Sequence, residues 1–133
     1  MYKHITSLTI TFILLCIGLG TSAQEKMDQW PALKDFHMVI SQTFHPSETG
    51  NLEPIKTRSG EMLEKAIALS KSSVPQAFNQ PGIPAAVQEL LVKVKKLDKG
   101  IKNKKLVDKA IKTQLSEVHD VYHKIIEKCM KEG

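Results

Sequence analysis

The chain has 133 residues, of which 41% are hydrophobic, 25% charged and 5% aromatic, and its formal net charge at pH 7 is +5. This length corresponds to one domain, and two cysteines are too few for a disulfide-dense scaffold. The scarcity of aromatic residues and of alternating β-branched segments argues against an all-β fold. The sequence contains neither a phosphate-binding loop nor a serine-nucleophile motif, so we expect a protein that is not an enzyme.

The first 23 residues have the features of a secretory signal peptide. Lys3 supplies the positive charge at the start, residues 5–20 are mostly apolar, and three small residues end the segment at Ala23. The apolar run is shorter than the roughly 20 residues that a transmembrane helix needs. We therefore predict cleavage after Ala23, no membrane span, and a mature chain of residues 24–133 that is exported, most plausibly to a bacterial periplasm.

Apolar side chains recur at intervals of three and four residues in four segments of the mature chain, which is the pattern of helices with one buried face. The predicted helices cover approximately residues 27–44, 54–71, 84–100 and 104–131. The first ends before Pro46, because the residue preceding a proline is pushed out of the helical conformation. Such helices bury their apolar stripes only against one another, and short connections make neighbours antiparallel. The prediction is an all-α, up-down-up-down four-helix bundle.

Three histidines are predicted to lie at one level of this bundle. His37 belongs to the apolar stripe of the first helix, and His119 and His123 are about one turn apart on the last helix, a spacing that lets two imidazoles reach one metal ion. At a rise of about 1.5 Å per residue, all three lie about 12–18 Å from the common end of the two helices. His119 and His123 flank their stripe, so we expect a site at the edge of the seam, partly open to solvent.

These positions favour an exported, non-enzymatic bundle that binds a transition-metal ion through His37, His119 and His123, for metal buffering, carriage or sensing. Neutral imidazoles suit Zn, Cu, Ni or Fe. Cys129, which has no disulfide partner in the mature chain, is a further ligand, a small buried residue of the last stripe or the site of an intermolecular disulfide. The alternative for His37 is a hydrogen-bonded core histidine. We predict His45 at the opposite end of the bundle, interacting with the C-terminus of its helix.

The stretch from Gln114 to His123 resembles the last helix of the cytochrome b562 family, in its Gln-Leu pair and its closing Tyr-His pair. The resemblance implies a b-type haem with His123 as one axial ligand. In that family the other axial ligand is a methionine on the first helix, and the level that matches His123 holds His37 and Met38. A haem electron carrier with His123 and either of these residues as ligands is therefore the second interpretation. Covalent haem attachment is not expected, because the sequence has no Cys-x-x-Cys-His.

Nine lysines crowd the region from Lys93 to Lys112, where only Asp98 and Asp108 oppose them. A basic surface of this kind attracts an acidic protein or an anionic surface, and a solvated basic face is the alternative. Nucleic acid is not expected as a partner, because no aromatic side chains are interleaved for base stacking. A cofactor-free interaction protein with this basic tip is the third interpretation.

Overall fold

The computed structural model describes residues 26–130, which contain four long α-helices packed against each other. The helices are α1 (Pro31–Glu48), α2 (Glu53–Lys71), α3 (Ile83–Lys102) and α4 (Asp108–Met130), and a 3-10 turn, Gln76–Phe78, lies between α2 and α3. Residues 26–130 include no β-strand, so the predicted all-α class is confirmed. The predicted signal peptide lies outside the described residues. Within them, no helix combines the length and the apolar character that crossing a membrane requires.

The apolar stripes predicted from the sequence form one core. Each helix packs mainly against the next one in the chain, and α1 also contacts α4. The stripe residues of α3 and α4 are almost entirely removed from solvent, and their burial supplies the main force that holds the helices together. The buried members of these two stripes are Val87, Leu90, Val94, Leu97, Ile111, Leu115, Val118, Tyr122, Ile125 and Cys129.

α1 begins four residues later than predicted, at Pro31 instead of residue 27. Residues 26–28 form a separate helical turn, and Trp30 breaks the helix with ψ at 81°. The physical reason is Pro31, because a residue that precedes proline is disfavoured in the helical conformation. The break turns Trp30 into the core, where its ring lies 5.2 Å from that of Phe78 and its Nε1 donates to Ser72 Oγ at 2.8 Å.

α1 also ends later than predicted, because Pro46 lies inside its last turn and does not stop the helix. A proline at this position costs one backbone hydrogen bond, but so near the end of the helix few bonds remain to be lost. Side-chain hydroxyls support the turn: Ser47 Oγ donates to the carbonyl of Phe44, and Thr49 Oγ1 donates to that of Pro46 at 3.0 Å. As a consequence, His45 sits on a regular helix and keeps a defined direction.

The connection between α3 and α4 folds back onto the end of α3. α4 begins at Asp108 and not near residue 104, because Lys104 adopts a positive φ of 52° and interrupts the helical path. Leu106 then packs on Gly100, where a Cβ would lie only 2.5 Å from its Cδ1. Glycine at position 100 therefore allows this close approach, which any larger residue would block.

Candidate metal centre

All four histidines of the described residues lie on the same part of the molecule, where α1 faces α4. α1 contributes His37 and His45, and α4 contributes His119 and His123. The rings of His119 and His123 have centroids 4.4 Å apart, and the ring of His45 lies 6.4 Å from that of His119. His37 is close enough to His45 and His123 for both to lower its pKa by repulsion. The two helices thus bring these four imidazoles, here called the histidine cluster, to one side of the molecule, with His119 and His123 in contact and His37 and His45 farther from them.

The closest pair in the cluster is His119 and His123, whose Nε2 atoms are 3.1 Å apart. Residues four apart on a helix face the same side, so both rings project from α4 toward a common point. At this distance one neutral imidazole donates its N–H to the other. Two imidazoles bound to one zinc ion at about 2.0–2.1 Å have their nitrogens about 3.3 Å apart at a tetrahedral angle. The pair therefore has nearly the separation that a shared ion requires.

Stacking on Phe44 orients the His119 ring, with ring centroids 3.7 Å and planes 10° apart. Partial burial lowers the pKa of His119, and repulsion from His123 lowers it further, with a smaller contribution from His45. Asp120 and Glu48 act in the opposite direction. A lowered pKa keeps the imidazole neutral near pH 7, which is the form that binds metal.

His37 is half-buried and stacks on Tyr122, with ring centroids 5.2 Å and planes 12° apart. Tyr122 is itself fixed, because it is buried and its hydroxyl donates to Met27 Sδ at 3.2 Å. Burial is the main cause that lowers the pKa of His37. His37 therefore carries a neutral imidazole at the side of the cluster nearest the start of α1.

His45 lies in the last turn of its helix, as predicted, but it is not apart from the other histidines, because its ring comes 6.4 Å from that of His119. α1 starts later and ends later than the sequence suggested, and this places His45 beside His119. Its Nδ1 lies 3.0 Å from Glu48 Oε2, within hydrogen-bond distance. A carboxylate bound to one ring nitrogen is a common support for a histidine whose other nitrogen binds metal. Sequence reasoning missed this residue because it counted the first helix from residue 27, whereas the break at Trp30 makes α1 begin at Pro31, about 6 Å later along the helix.

The three histidines predicted as ligands do not form a completed site in the arrangement described. Among residues 26–130, no group of three or more His, Cys, Asp or Glu side chains is placed to hold a metal ion. Two ligands converge from α4, while the imidazoles of α1 flank them at a greater distance. A third ligand requires a side chain of α1 to rotate toward the pair.

Met38 and Cys129, the further ligand candidates, lie away from the cluster. Met38 is 52% exposed and lines a groove with Gln42 and Arg58, so it faces α2 and not α4. Cys129 is buried, as one of its three predicted roles required, and lies about 9 Å along α4 from His123. Burial raises the pKa of the Cys129 thiol to about 11, and Lys26 partly opposes this shift.

The surroundings of His123 do not match a pocket for haem. Phe36 and Tyr122 are buried between α1 and α4 at this level, with ring centroids 6.1 Å apart. A porphyrin with His123 and His37 as axial ligands would have to displace both rings. The His123 side chain is exposed, and its Nε2 is directed at His119 and not into the core.

No family model, curated protein or solved structure matches this chain, so its function has to be inferred from the chemistry of the cluster.

Proposed function

We propose that this protein is an exported, non-enzymatic bundle of up-down-up-down topology that binds one transition-metal ion in the histidine cluster between α1 and α4. The observation that supports this most strongly is the 3.1 Å separation of the Nε2 atoms of His119 and His123. Metal buffering, carriage or sensing follows from a site of this kind, because neutral imidazoles bind ions reversibly and release them on protonation.

In the proposed site, His119 and His123 supply two nitrogens from α4, and rotation of side chains on α1 supplies the rest. His37 approaches from one side and is kept neutral by its partial burial. His45 approaches from the other side, and its contact with Glu48 orients the ring. Such an all-imidazole site suits Zn, Cu, Ni or Fe.

The antiparallel arrangement of α1 and α4 in this proposal is supported by contacts that pair the start of one with the end of the other. Lys26 Nζ donates to the carbonyl of Cys129 at 2.9 Å, while Phe44 stacks on His119. Between α1 and α2, Trp30, just before the start of α1, donates to Ser72, just after the end of α2. Lys26 precedes Phe44 in the sequence, whereas its partner Cys129 follows His119, the partner of Phe44. This reversed order is the one that antiparallel helices produce.

Titration of the chelator-treated protein with Zn²⁺, Cu²⁺ and Ni²⁺ in a calorimeter tests the proposal. We expect one ion per chain, and no binding after combined replacement His119→Ala and His123→Ala. His37→Ala and His45→Ala should each weaken binding about tenfold or more, as loss of a ligand does. Lys124→Ala, an exposed neighbour of His123 on α4, is the matched control and should leave the affinity unchanged.

Retained affinity in the His119 and His123 double variant would overturn the proposed site. An absorption spectrum of protein purified from its native compartment distinguishes the other two interpretations. A Soret band would identify the haem carrier that the cytochrome b562 resemblance suggests. Purification without metal or haem, together with no binding in the calorimeter, would leave a cofactor-free interaction protein.

Export is proposed from the signal sequence alone. Mass spectrometry of the protein from cells should find Gln24 at the N-terminus, and the metal would then be acquired in the periplasm. A mature protein that retains Met1, or that carries a lipid on Cys16, would contradict this processing.

A further inference from the structure

A groove runs along the surface between α3 and α4, on the side of α4 that faces α3, whereas His119 lies on the side that faces α1. Its first part has a volume of about 370 Å³ and is lined by Lys96, Val107, Ala110 and Gln114 among others. A second part of about 230 Å³ continues it toward Val92 and shares Lys96, Gln114 and Glu117 with the first. Because the two parts share these residues, they form one continuous depression along the helix pair.

The groove carries exposed apolar side chains at both ends. Val107 is 71% exposed and Val92 is 65% exposed. They are two of the four large hydrophobic residues that the described part of the chain leaves exposed, the others being Met38 and Met130. Apolar side chains on either side of a depression are a common feature of surfaces that bind another protein.

The groove is also lined by a polar group that lacks a partner. The Oε1 atom of Gln114 is buried and accepts no hydrogen bond. A buried acceptor of this kind is unfavourable until it meets a donor. Gln114 lines both parts of the groove, and because its terminal amide torsion is broad, rotation can present the oxygen to a bound ligand. A ligand that donates an N–H satisfies it, whereas a carboxylate or phosphate has no hydrogen to donate.

The groove lies in the strongly basic region from Lys93 to Lys112, and Lys93, Lys96 and Lys109 of this region line it. Among the lysines from Lys93 to Lys112, Lys93 pairs with Glu117 and Lys102 pairs with Asp98. The remaining seven are exposed and have no ion-pair partner within residues 26–130. These are Lys95, Lys96, Lys99, Lys104, Lys105, Lys109 and Lys112. Their field attracts a negatively charged partner and steers it toward the groove.

We propose that the α3/α4 groove binds an acidic peptide segment of a partner protein. The segment places apolar side chains against Val92 and Val107, and it donates a backbone N–H to Gln114. Its carboxylates meet the lysines of the basic region, with Lys96 and Lys109 the nearest. A peptide meets all three requirements at once, because its backbone supplies the N–H donor next to apolar and acidic side chains. This interaction is independent of the proposed metal site.

Fluorescence anisotropy with two labelled peptides tests this proposal, with a chelator present to keep the histidine cluster free of metal. Both peptides are rich in Glu and Asp, and they differ only in carrying two leucines seven residues apart, about two helical turns, or two serines in their place. We expect the leucine peptide to bind about tenfold more tightly than the serine peptide at physiological salt. If charge alone drives binding, the two peptides bind with equal affinity, and that result would overturn the proposal.

Two variants with the same change of charge locate the interaction. Val107→Glu should weaken binding of the leucine peptide about tenfold or more, because it introduces a like charge and removes apolar contact. Met38→Glu introduces the same charge at an exposed apolar residue on α1 and should leave peptide binding unchanged. Gln114→Met keeps the side-chain volume and should weaken binding about fivefold. Equal losses in Val107→Glu and Met38→Glu would contradict the groove as the site.

Vesicles that contain anionic phospholipid complete the test. We expect them to bind more weakly than the leucine peptide, with no difference between Val107→Glu and Met38→Glu. Vesicle binding that exceeds peptide binding and is lost only in Val107→Glu would make this surface a membrane contact instead. Because Val107 is exposed and lies in the α3–α4 connection, the variant should unfold at the same temperature as the parent protein, which circular dichroism verifies.

Discussion

The ring of Phe44 on α1 lies nearly parallel to the imidazole of His119 on α4, 3.7 Å away between centroids. This contact joins the two helices that carry the histidine cluster. It also fixes the plane of the His119 ring, and with it the direction of the Nε2 atom that faces His123 at 3.1 Å. A hydrophobic residue of the seam thus orients a polar group at its edge.

We predict that Phe44 and His119 are energetically coupled in the metal-free protein. Phe44→Leu keeps an apolar side chain but removes the stacked ring, so the double-mutant cycle with His119→Ala should give a coupling energy of about 0.5–1.5 kcal/mol. Urea unfolding of the four proteins measures it. The same Phe44→Leu variant should bind Zn²⁺ more weakly, since His119 is then free to rotate. Additive effects on unfolding would contradict a specific contact between these rings.

The stability of the metal-free protein should fall as the pH is lowered below about 6.5. The pKa values of His37 and His119 are lowered from 6.5 in the folded chain, chiefly by burial. Above 6.5 both rings are neutral in the folded and the unfolded chain, so no stability is lost. As the pH falls through 6.5, the unfolded chain takes up protons that the folded chain resists, which favours unfolding.

Thermal unfolding in a chelating buffer between pH 8 and pH 5 measures this dependence. His37→Gln removes one of the two groups and keeps a polar side chain, so its unfolding temperature should change less with pH than that of the parent. A midpoint that rises toward pH 5, or an unchanged slope in His37→Gln, would show that these imidazoles do not control the pH dependence.

Cys129 should react slowly with N-ethylmaleimide in the native protein and rapidly in denaturant. The thiol is buried with a pKa raised to about 11, so little thiolate forms near neutral pH. Cys129→Ser should lower the free energy of unfolding by about 1–3 kcal/mol, because a buried hydroxyl has no assured partner there. Cys129→Ala tests the loss of volume alone. Rapid native alkylation, or a disulfide-linked dimer, would show that this part of α4 opens.

The hydrogen bond from Ser59 to Asp98 should be one of the more important polar contacts of the core. Asp98 is 5% exposed, and its carboxylate accepts from Ser59 Oγ at 2.8 Å and from Lys102 Nζ at 2.9 Å. Ser59→Ala leaves a buried carboxylate with one donor fewer and should cost about 1–3 kcal/mol in chemical unfolding. Ser70→Ala is the control on the same helix, because its hydroxyl bonds only to the carbonyl of Ile67. Equal effects of the two changes would argue against a special role for Asp98.

The periodic stripes predicted the helices well, because burial of one face decides where a helix forms. The stripe of α3 is an example: Val87, Leu90, Val94 and Leu97 are all buried. Helix ends were less predictable, because they depend on local bonds that the stripe does not encode. The hydroxyl of Ser47 supports the turn that contains Pro46, and this lengthens α1 by four residues beyond the predicted end.

Only part of the candidate site followed from the sequence. The spacing of His119 and His123 predicted that they share a face, and their close approach follows from helix geometry. The position of His45 depended on how α1 aligns with α4, which the break at Trp30 and the extension past Pro46 changed. The role of Phe44 in orienting His119 was also not foreseen, since a stripe position indicates burial but not the neighbour that a side chain meets.

The bond from Lys26 to the carbonyl of Cys129 brings the two ends of the described chain to one end of the bundle. A short linker can therefore join them, while new ends are opened at the exposed Gly50 between α1 and α2. In such a circular permutant, α4 would lead directly into α1. α1 and α4, which carry the histidines, are the first and last of the four long helices in the present chain. In the permutant they would be consecutive in the sequence and would form one helical hairpin.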